Sequence, residues 1–264
     1  MPLHNQAIQW PTRVEKQRAS DWVELVACKA WRPGFAMVDG MLIPLHCKPG
    51  HHGEQFYDRK SNYSLSLTLV TTPDLCIIDY ILGPPGSVHD SMAFRESWAF
   101  KESETLFCEG KWLWADSAYG LASWCITLYK RPLSLILENR QFNYHLSWVR
   151  ICSEHAMGYL KGRFQSLHGL WQNINSEQDF RWALAWVCVC LVIHSLVAQV
   201  EDVGDEEFWD WVCVGLEDED DADPTNEVEG FLWHGQALAM GETLGQQKRQ
   251  LVQEALFQEL YSDV

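Results

Sequence analysis

The stretch FAMVDGMLIPL, residues 35–45, decides the fold, because it is a strand-like apolar run that carries a carboxylate, Asp39. A second run of this kind, KWLWADSAYG at residues 111–120, leads to Asp116. A third carboxylate, Glu154, lies in RICSEHAMGYLKGRF, residues 150–164, where apolar residues recur with helical spacing. Two carboxylates that follow apolar runs and one on a helix can gather around divalent metal ions. The sequence therefore predicts a nuclease-type active site.

Composition limits the class of protein. With 264 residues, 47% apolar content and 14 Trp, the chain can bury a substantial core. The first 20 residues are polar and mixed in charge, so we expect no secretory signal, and we also expect no membrane span. Nine scattered Cys without a C-x-x-C pair argue against a zinc ribbon and against a disulfide framework. These features indicate an intracellular globular protein with reduced thiols.

The net charge of −16 is distributed unevenly along the chain. Residues 1–170 contain 17 Lys and Arg against 16 Asp and Glu, a balance of +1. Residues 171–264 contain 3 against 20, a balance of −17. Because the acidity belongs to the last third, the first part of the chain remains compatible with DNA phosphates as a partner.

The order of predicted elements indicates an α/β protein. Three strands come first and are expected to form an antiparallel meander, and helices and further strands alternate after them. This order predicts a ribonuclease H-like mixed sheet flanked by helices, with a C-terminal helical and acidic extension. The predicted strands are 35–45, 64–71, 75–82, 111–115 and 133–137, and the predicted helices are 21–31, 88–100, 122–129, 143–168 and 178–199.

Three regions follow from this pattern. Residues 1–33 are predicted to be a helical remnant of an N-terminal region, and residues 34–200 the catalytic domain. Residues 201–264 are predicted to be an acidic, partly disordered extension, because 201–229 is too polar and too acidic to pack. A helix is expected over 245–260, either docked on the body or waiting for a partner.

The three carboxylates match the needs of phosphodiester chemistry. Two Mg²⁺ ions about 4 Å apart can stabilise the attacking and the leaving oxygen. Mg²⁺, like Mn²⁺, prefers carboxylate oxygens to thiols as ligands. We expect Asp39 to bridge both ions, Asp116 to bind one of them and Glu154 to bind the other.

A linked set of motifs carries a resemblance to a known family. The chain resembles Harbinger-type DDE transposases, in the style of the transposon-derived endonuclease-like proteins of fungi, over residues 33–200. The resemblance implies a ribonuclease H-like catalytic domain, a divalent-metal-dependent triad, cleavage and joining of DNA strands, and a nuclear location. The matching motifs are VDGMLIPL, FYDRKSNYSLSL, GPPGSVHDSMAFRES, WLWADSAYG, ENRQFNYHLSWVRICSEHAMGYLKGRFQSLHGLW and VIHSLV.

The family's triad falls on Asp39, Asp116 and Glu154. The chain departs from the family pattern at Met41, Gly120 and Ser195, where a small hydroxylated residue, Pro and Asn are common. Family members also carry a longer helical DNA-binding region before the first Asp than the 38 residues found here. The resemblance therefore implies DNA as substrate, a DNA-binding region that is either missing or supplied by a separate partner protein, and a homo-oligomer when active.

Each triad residue also has a structural explanation. Asp39 before Gly40 is compatible with simple turn chemistry, and Asp116 could cap a following helix. Glu154 could pair with Arg150 at i,i+4. The alternative function is accordingly a catalytically inactive or domesticated protein that acts through protein or DNA interaction, and a nuclease for RNA is a weaker third option.

Further candidates lie around the triad. His89 and Asp90 begin a predicted helix and could act close to the metal ligands, although the helix dipole alone explains Asp90. Four cations are candidates for DNA phosphate contact, with solvated surface charge as the alternative. On a helix, Lys161 shares a stripe with Arg150, Glu154 and Met157, which would bring it towards bound DNA. The four cations are Arg59, Lys60, Lys161 and Arg163.

Overall fold

The computed structural model describes residues 2–58, 60–86, 90–201 and 236–261. Its described part contains a five-stranded sheet in the order β3-β2-β1-β4-β5. The strands are β1 (Gly34–Pro44), β2 (Ser64–Thr71), β3 (Ile77–Pro85), β4 (Trp112–Ala115) and β5 (Cys125–Thr127). The helices are α1 (Pro2–Ala7), α2 (Arg13–Val26), α3 (Asp90–Phe94), α4 (Trp98–Lys101), α5 (Ser103–Leu106), α6 (Leu137–Arg163), α7 (Glu177–Ala198) and α8 (Gln236–Leu260).

The sheet is mixed. Strand β4 pairs in parallel with both β1 and β5, whereas β2 and β3 form an antiparallel pair. With helices flanking the sheet, this arrangement is an α/β fold consistent with a ribonuclease H-like architecture, and the predicted fold class is confirmed.

The chain divides into two compact units. The described residues of the first unit are 2–10, 39–58, 60–86, 90–101 and 153–201, and those of the second are 11–38, 102–152 and 236–261. The division falls inside strand β1 and inside helix α6, so each of these two elements contributes to both units. The three-part division into 1–33, 34–200 and 201–264 stays a prediction.

The core of the first unit is built around strand β2. All eight residues of β2 are buried, so both faces of the strand are covered. Leu65, Leu67 and Leu69 belong to an apolar cluster that also includes Leu160 of α6 and Leu191 of α7. The alternation of apolar and polar residues in β2 therefore marks two buried faces, and not one buried and one solvated face.

The core of the second unit is aromatic. The ring of Trp31 lies 4.7 Å from that of Trp114 and 5.5 Å from that of Phe142, measured between centroids. Gly34 allows this packing, because a Cβ at that position would overlap the rings of Trp112 and Trp114. The start of β1 is therefore glycine for reasons of space.

Two sequence-based predictions of secondary structure are wrong. A helix was expected over 122–129, but Cys125 and Ile126 belong to strand β5, where they are buried and pair with β4. A strand was expected over 133–137, but a 3₁₀ turn covers Leu133–Leu135 and α6 begins at Leu137. Pairing with β4 decides the first case, because a three-residue strand carries too little local pattern to be recognised.

Helix α8 packs within the second unit. Trp31 donates its indole N–H to the backbone oxygen of Val252 at 2.9 Å. The Glu259 carboxylate accepts the backbone N–H groups of Lys29 and Ala30 at 2.8 and 2.9 Å. Of the two expectations for the C-terminal helix, docking on the body is the one found. Residues 202–235, where most of the acidic extension falls, lie outside the described residues.

Helix α7 confirms the predicted late apolar helix and adds a feature that the sequence-based expectation missed. It is the one helix among the described residues that is long and apolar enough to cross a membrane, with a mean hydropathy of 1.9 over 18 residues. One third of that window is buried inside the protein. Val187 and Leu191 lie in the apolar cluster of the first unit, so one face of α7 has the role of a core helix.

Candidate active site

Asp39 lies in strand β1, in the first unit, and is half-buried. Its Oδ1 atom accepts the backbone N–H of Gly40 at 2.9 Å. Its Oδ2 atom accepts the hydroxyl of Ser153 on α6 at 3.4 Å, a long contact for a hydroxyl donor. Ser153 is buried, so the contact connects the Asp39 carboxylate to a fixed point on the helix.

Glu154 follows Ser153 directly and is exposed. Its neighbours Ser153, Ala156 and Met157 are all buried, so Glu154 lies on the outward side of α6. In the first unit, the helix therefore presents an accessible carboxylate one residue after the hydroxyl that contacts Asp39.

Asp116 lies in the second unit, in the turn that follows strand β4. Its side chain is 39% exposed, and its Oδ1 atom lies 3.9 Å from Nη1 of Arg150, whose own side chain is 9% exposed. At this separation the guanidinium acts through its charge and not through a hydrogen bond. Asp116 does not cap a helix, because its turn is followed by strand β5.

The donor set suits a hard divalent cation. Asp39 and Glu154 belong to the first unit and Asp116 to the second. Within each unit, the described residues contain no group of three or more His, Cys, Asp or Glu side chains arranged to hold a metal ion. All three candidate ligands are carboxylates with at least partial solvent access, as Mg²⁺ and Mn²⁺ require.

The predicted stripe on α6 does not form a surface. Met157 and Lys161 are both buried, whereas Glu154 is exposed, so the stripe turns into the protein. The burial of Lys161 argues against the alternative that it is solvated surface charge. Its contact with DNA stays a prediction.

Among the other candidate cations, Lys60 is exposed. The guanidinium of Arg163 lies 4.7 Å from the centre of the Tyr159 ring and pairs with Glu201 at 2.5 Å. A carboxylate of the same chain therefore compensates the charge of Arg163. Helix α3 begins at Asp90. The candidates Arg59 and His89 lie outside the described residues.

His194, near the end of α7, is fully buried in the first unit. Its ring lies 4.8 Å from the Tyr159 ring. Burial lowers the pKa of His194 to about 3, and the positive charge of Arg163 acts in the same direction. The imidazole is therefore neutral at physiological pH and is part of the packing of the unit.

Two residues lie beside the candidate ligands, and the sequence did not predict these positions for them. Ser153 contacts Asp39 and Arg150 lies beside Asp116. Helical spacing related Arg150 to Glu154, but it gave no signal for a contact with a residue 34 positions earlier in the chain. Contacts of this kind depend on the packing of α6 against the strands.

Comparison with known proteins identifies the family. A family model described as DDE superfamily endonuclease matches residues 38–194, more than half of the chain, and this range includes all three candidate ligands. The chain belongs to the DDE superfamily endonucleases, and the predicted Harbinger-type relationship is confirmed.

The chain is also similar to a curated plant protein. It is 26% identical over 164 residues to Protein ALP1-like from Arabidopsis thaliana. The match covers 55% of this chain and 38% of that relative, so the chain corresponds to well under half of the relative's length. No solved structure matches the chain.

Proposed function

We propose that this chain is a divalent-metal-dependent DNA endonuclease or transposase catalytic domain, with Asp39, Asp116 and Glu154 as its metal ligands. The observation that carries the proposal is the family match over residues 38–194, a range that includes all three carboxylates. Cleavage of phosphodiester bonds is the core activity, and joining of strands is the additional step of a transposase. The proposed location is the nucleus, where the DNA substrate is found.

The positions of the ligands in their elements support this proposal. Val38 and Ala115 are register partners in the parallel strands β1 and β4. In the sequence each of them is followed by one of the two aspartates. The third carboxylate, Glu154, follows the serine that contacts Asp39. Asp39 thus lies in the first expected strand, Asp116 directly after the fourth, and Glu154 on the expected helix.

The residues of the chain have separate roles in this proposal. Asp39, Asp116 and Glu154 would hold Mg²⁺ or Mn²⁺, as two ions. When bound, the metal stabilises negative charge on the phosphate oxygens and activates the attacking water. Gly40 and Ser153 donate to opposite oxygens of Asp39 and orient the carboxylate. The buried Arg150 offsets part of the charge of Asp116.

Nicking of supercoiled DNA tests the proposal. We expect Mg²⁺- or Mn²⁺-dependent nicking by the wild type and a loss of roughly a thousandfold in Asp39→Asn, Asp116→Asn and Glu154→Gln, since each ligand holds a metal worth several kcal/mol to the transition state. Glu104→Gln, which removes an exposed carboxylate from α5, is the matched control and should nick like the wild type. Nicking that persists in all three variants, or in the presence of a chelator, would show that the mechanism is wrong.

The second candidate function is a domesticated protein without catalysis that acts through protein or DNA interaction. The balance of −17 over residues 171–264 favours it, because such a segment suits a basic partner better than a DNA substrate. Under this function the wild type would nick no DNA with either metal. The same assay therefore separates the two candidates.

A further inference from the structure

The first half of helix α6, in the second unit, presents an aromatic and basic side to solvent. Tyr144 and Trp148 are 61% and 50% exposed, and their ring centroids lie 6.3 Å apart. Arg140, four residues before Tyr144, is exposed as well. The spacing of four residues places the three side chains along one side of the helix. The second unit therefore carries a guanidinium and two exposed rings in one row.

The chain that leads into α6 adds two cations beside this row. Lys130 and Arg131 are exposed. They follow Tyr129, which donates its backbone N–H to Oδ1 of Asn143 at 2.8 Å and accepts the side-chain amide of Asn143 at 3.0 Å. Because Asn143 directly precedes Tyr144, these two hydrogen bonds hold the segment that carries both cations against the helix at the level of the row. We call the following five residues the α6 surface: Lys130, Arg131, Arg140, Tyr144 and Trp148.

The charge of the α6 surface differs from that of the whole chain. The net charge of the chain is −16, yet residues 117–153 contain one carboxylate, Glu138, against four Lys and Arg. Among the described residues, none of the three cations of the α6 surface forms an ion pair with a carboxylate, whereas Arg163 pairs with Glu201. A cluster of uncompensated cations in an acidic protein indicates an anionic ligand.

Apolar side chains lie next to these cations. Leu133, Leu135 and Leu137 are exposed. Asn139 of α6 donates its side-chain amide to the backbone oxygen of Leu133 at 2.9 Å, so this segment also lies against the helix. A base pair in an intact duplex hides the faces of its bases, whereas an unpaired nucleotide offers a flat aromatic face together with a phosphate. The combination of rings, leucines and cations therefore fits unpaired nucleotides better than a duplex.

We propose that the α6 surface binds single-stranded DNA. Bases stack on Tyr144 and Trp148, and phosphates bind the three cations. Aromatic rings beside cations that follow the backbone are the general means by which proteins bind single strands without reading their sequence. The α6 surface thus adds a site for unpaired nucleotides of the substrate, and it rests on the proposed function only in taking DNA as the ligand.

Fluorescence anisotropy of a labelled thymidine strand of about 15 nucleotides, titrated with the full chain up to about 100 µM in EDTA, tests the proposal. The wild type should bind the strand. Trp148→Ala should weaken binding at least about fivefold, because it removes one stacking ring, and Trp148→Phe should keep most of the affinity. Trp182→Ala changes a similarly exposed tryptophan on α7 in the first unit, and it should bind like the wild type.

Salt and duplex DNA separate stacking from phosphate contact. Arg140→Gln should weaken binding and reduce the slope of log affinity against log salt by about 0.7, the value for one phosphate contact on a single strand. Trp148→Ala should leave this slope unchanged, and it should not weaken binding to a blunt duplex of the same length. Arg13→Gln, at an exposed arginine on α2, is the matched control for charge and should keep the wild-type affinity and slope.

A wild type that binds no single strand over the same range would overturn the proposal, as would a Trp148→Ala variant that is weakened no more than Trp182→Ala. Equal weakening of strand and duplex binding by Trp148→Ala would contradict stacking on unpaired bases. Binding of an acidic peptide without binding of the strand would assign the surface to a protein partner instead. Circular dichroism of each variant checks that it is folded. Because EDTA removes the metal, a failed nicking assay and a failed strand-binding assay are separate results.

Discussion

At the residue scale, each candidate ligand that the structure places in a unit has a polar neighbour on α6. Ser153 lies beside Asp39, Arg150 lies beside Asp116, and Glu154 is itself part of the helix. One helix thus supplies a hydroxyl, a guanidinium and a carboxylate within five positions. These three groups have different chemical roles. The hydroxyl of Ser153 orients Asp39, the guanidinium of Arg150 offsets the charge of Asp116, and Glu154 is accessible as a ligand.

His194 gives a prediction about pH. Its pKa is lowered to about 3 in the folded protein and is about 6.5 in the unfolded chain, so the unfolded state binds the proton more readily. The stability that this neutral imidazole supports is fully present above about pH 6.5 and falls as the pH drops towards 3, by up to about 1.4 kcal/mol per pH unit. Urea unfolding between pH 8 and pH 5 measures this slope.

The matched variants isolate the contribution of His194. His194→Leu keeps the volume without a titrating group, so its stability should depend less steeply on pH than that of the wild type. His52→Leu alters an exposed imidazole and should retain the wild-type slope. Equal slopes in the wild type and in His194→Leu would contradict the assignment.

At the element scale, Gly34 illustrates how β1 depends on its neighbours. A methyl group at this position would overlap the rings of Trp112 and Trp114, and both rings are buried. We expect Gly34→Ala to lower the free energy of unfolding by about 3 kcal/mol, the upper range for overpacking. Chemical denaturation measures the loss.

The control for Gly34 is another glycine. Gly120 is exposed, and a Cβ there would meet no atom within 4 Å. Gly120→Ala should therefore change stability by less than about 0.5 kcal/mol, as is usual for surface substitutions. If both variants were equally stable, the space around Gly34 would not be the reason for its glycine.

Elements with a strong local pattern were predictable from the sequence. The β1 and β2 runs and the apolar α7 are long enough for periodicity to identify them, and Asp39 and Asp116 were recognised from their places after apolar runs. Strand β5 was not predictable, because its three residues become a strand only by pairing with β4. The proximity of Arg150 to Asp116 could not be predicted either, because it depends on the packing of α6 and not on a local sequence pattern.

At the scale of the whole molecule, residues that are far apart in the sequence belong to the same compact unit. Helix α8, at the end of the chain, packs on Lys29, Ala30 and Trp31 near its beginning, so it is an integral part of the second unit. The candidate ligands are likewise distributed between the two units.

The most direct test of the central claim is a titration of the full chain with Mn²⁺, followed by electron paramagnetic resonance of the free ion. We expect that the wild type binds Mn²⁺ and that Asp39→Asn, Asp116→Asn and Glu154→Gln each weaken binding at least about tenfold, because each removes an anionic oxygen ligand. Glu104→Gln should bind like the wild type. Mn²⁺ affinity that is unchanged by all three ligand substitutions would contradict the claim that these carboxylates form one metal site.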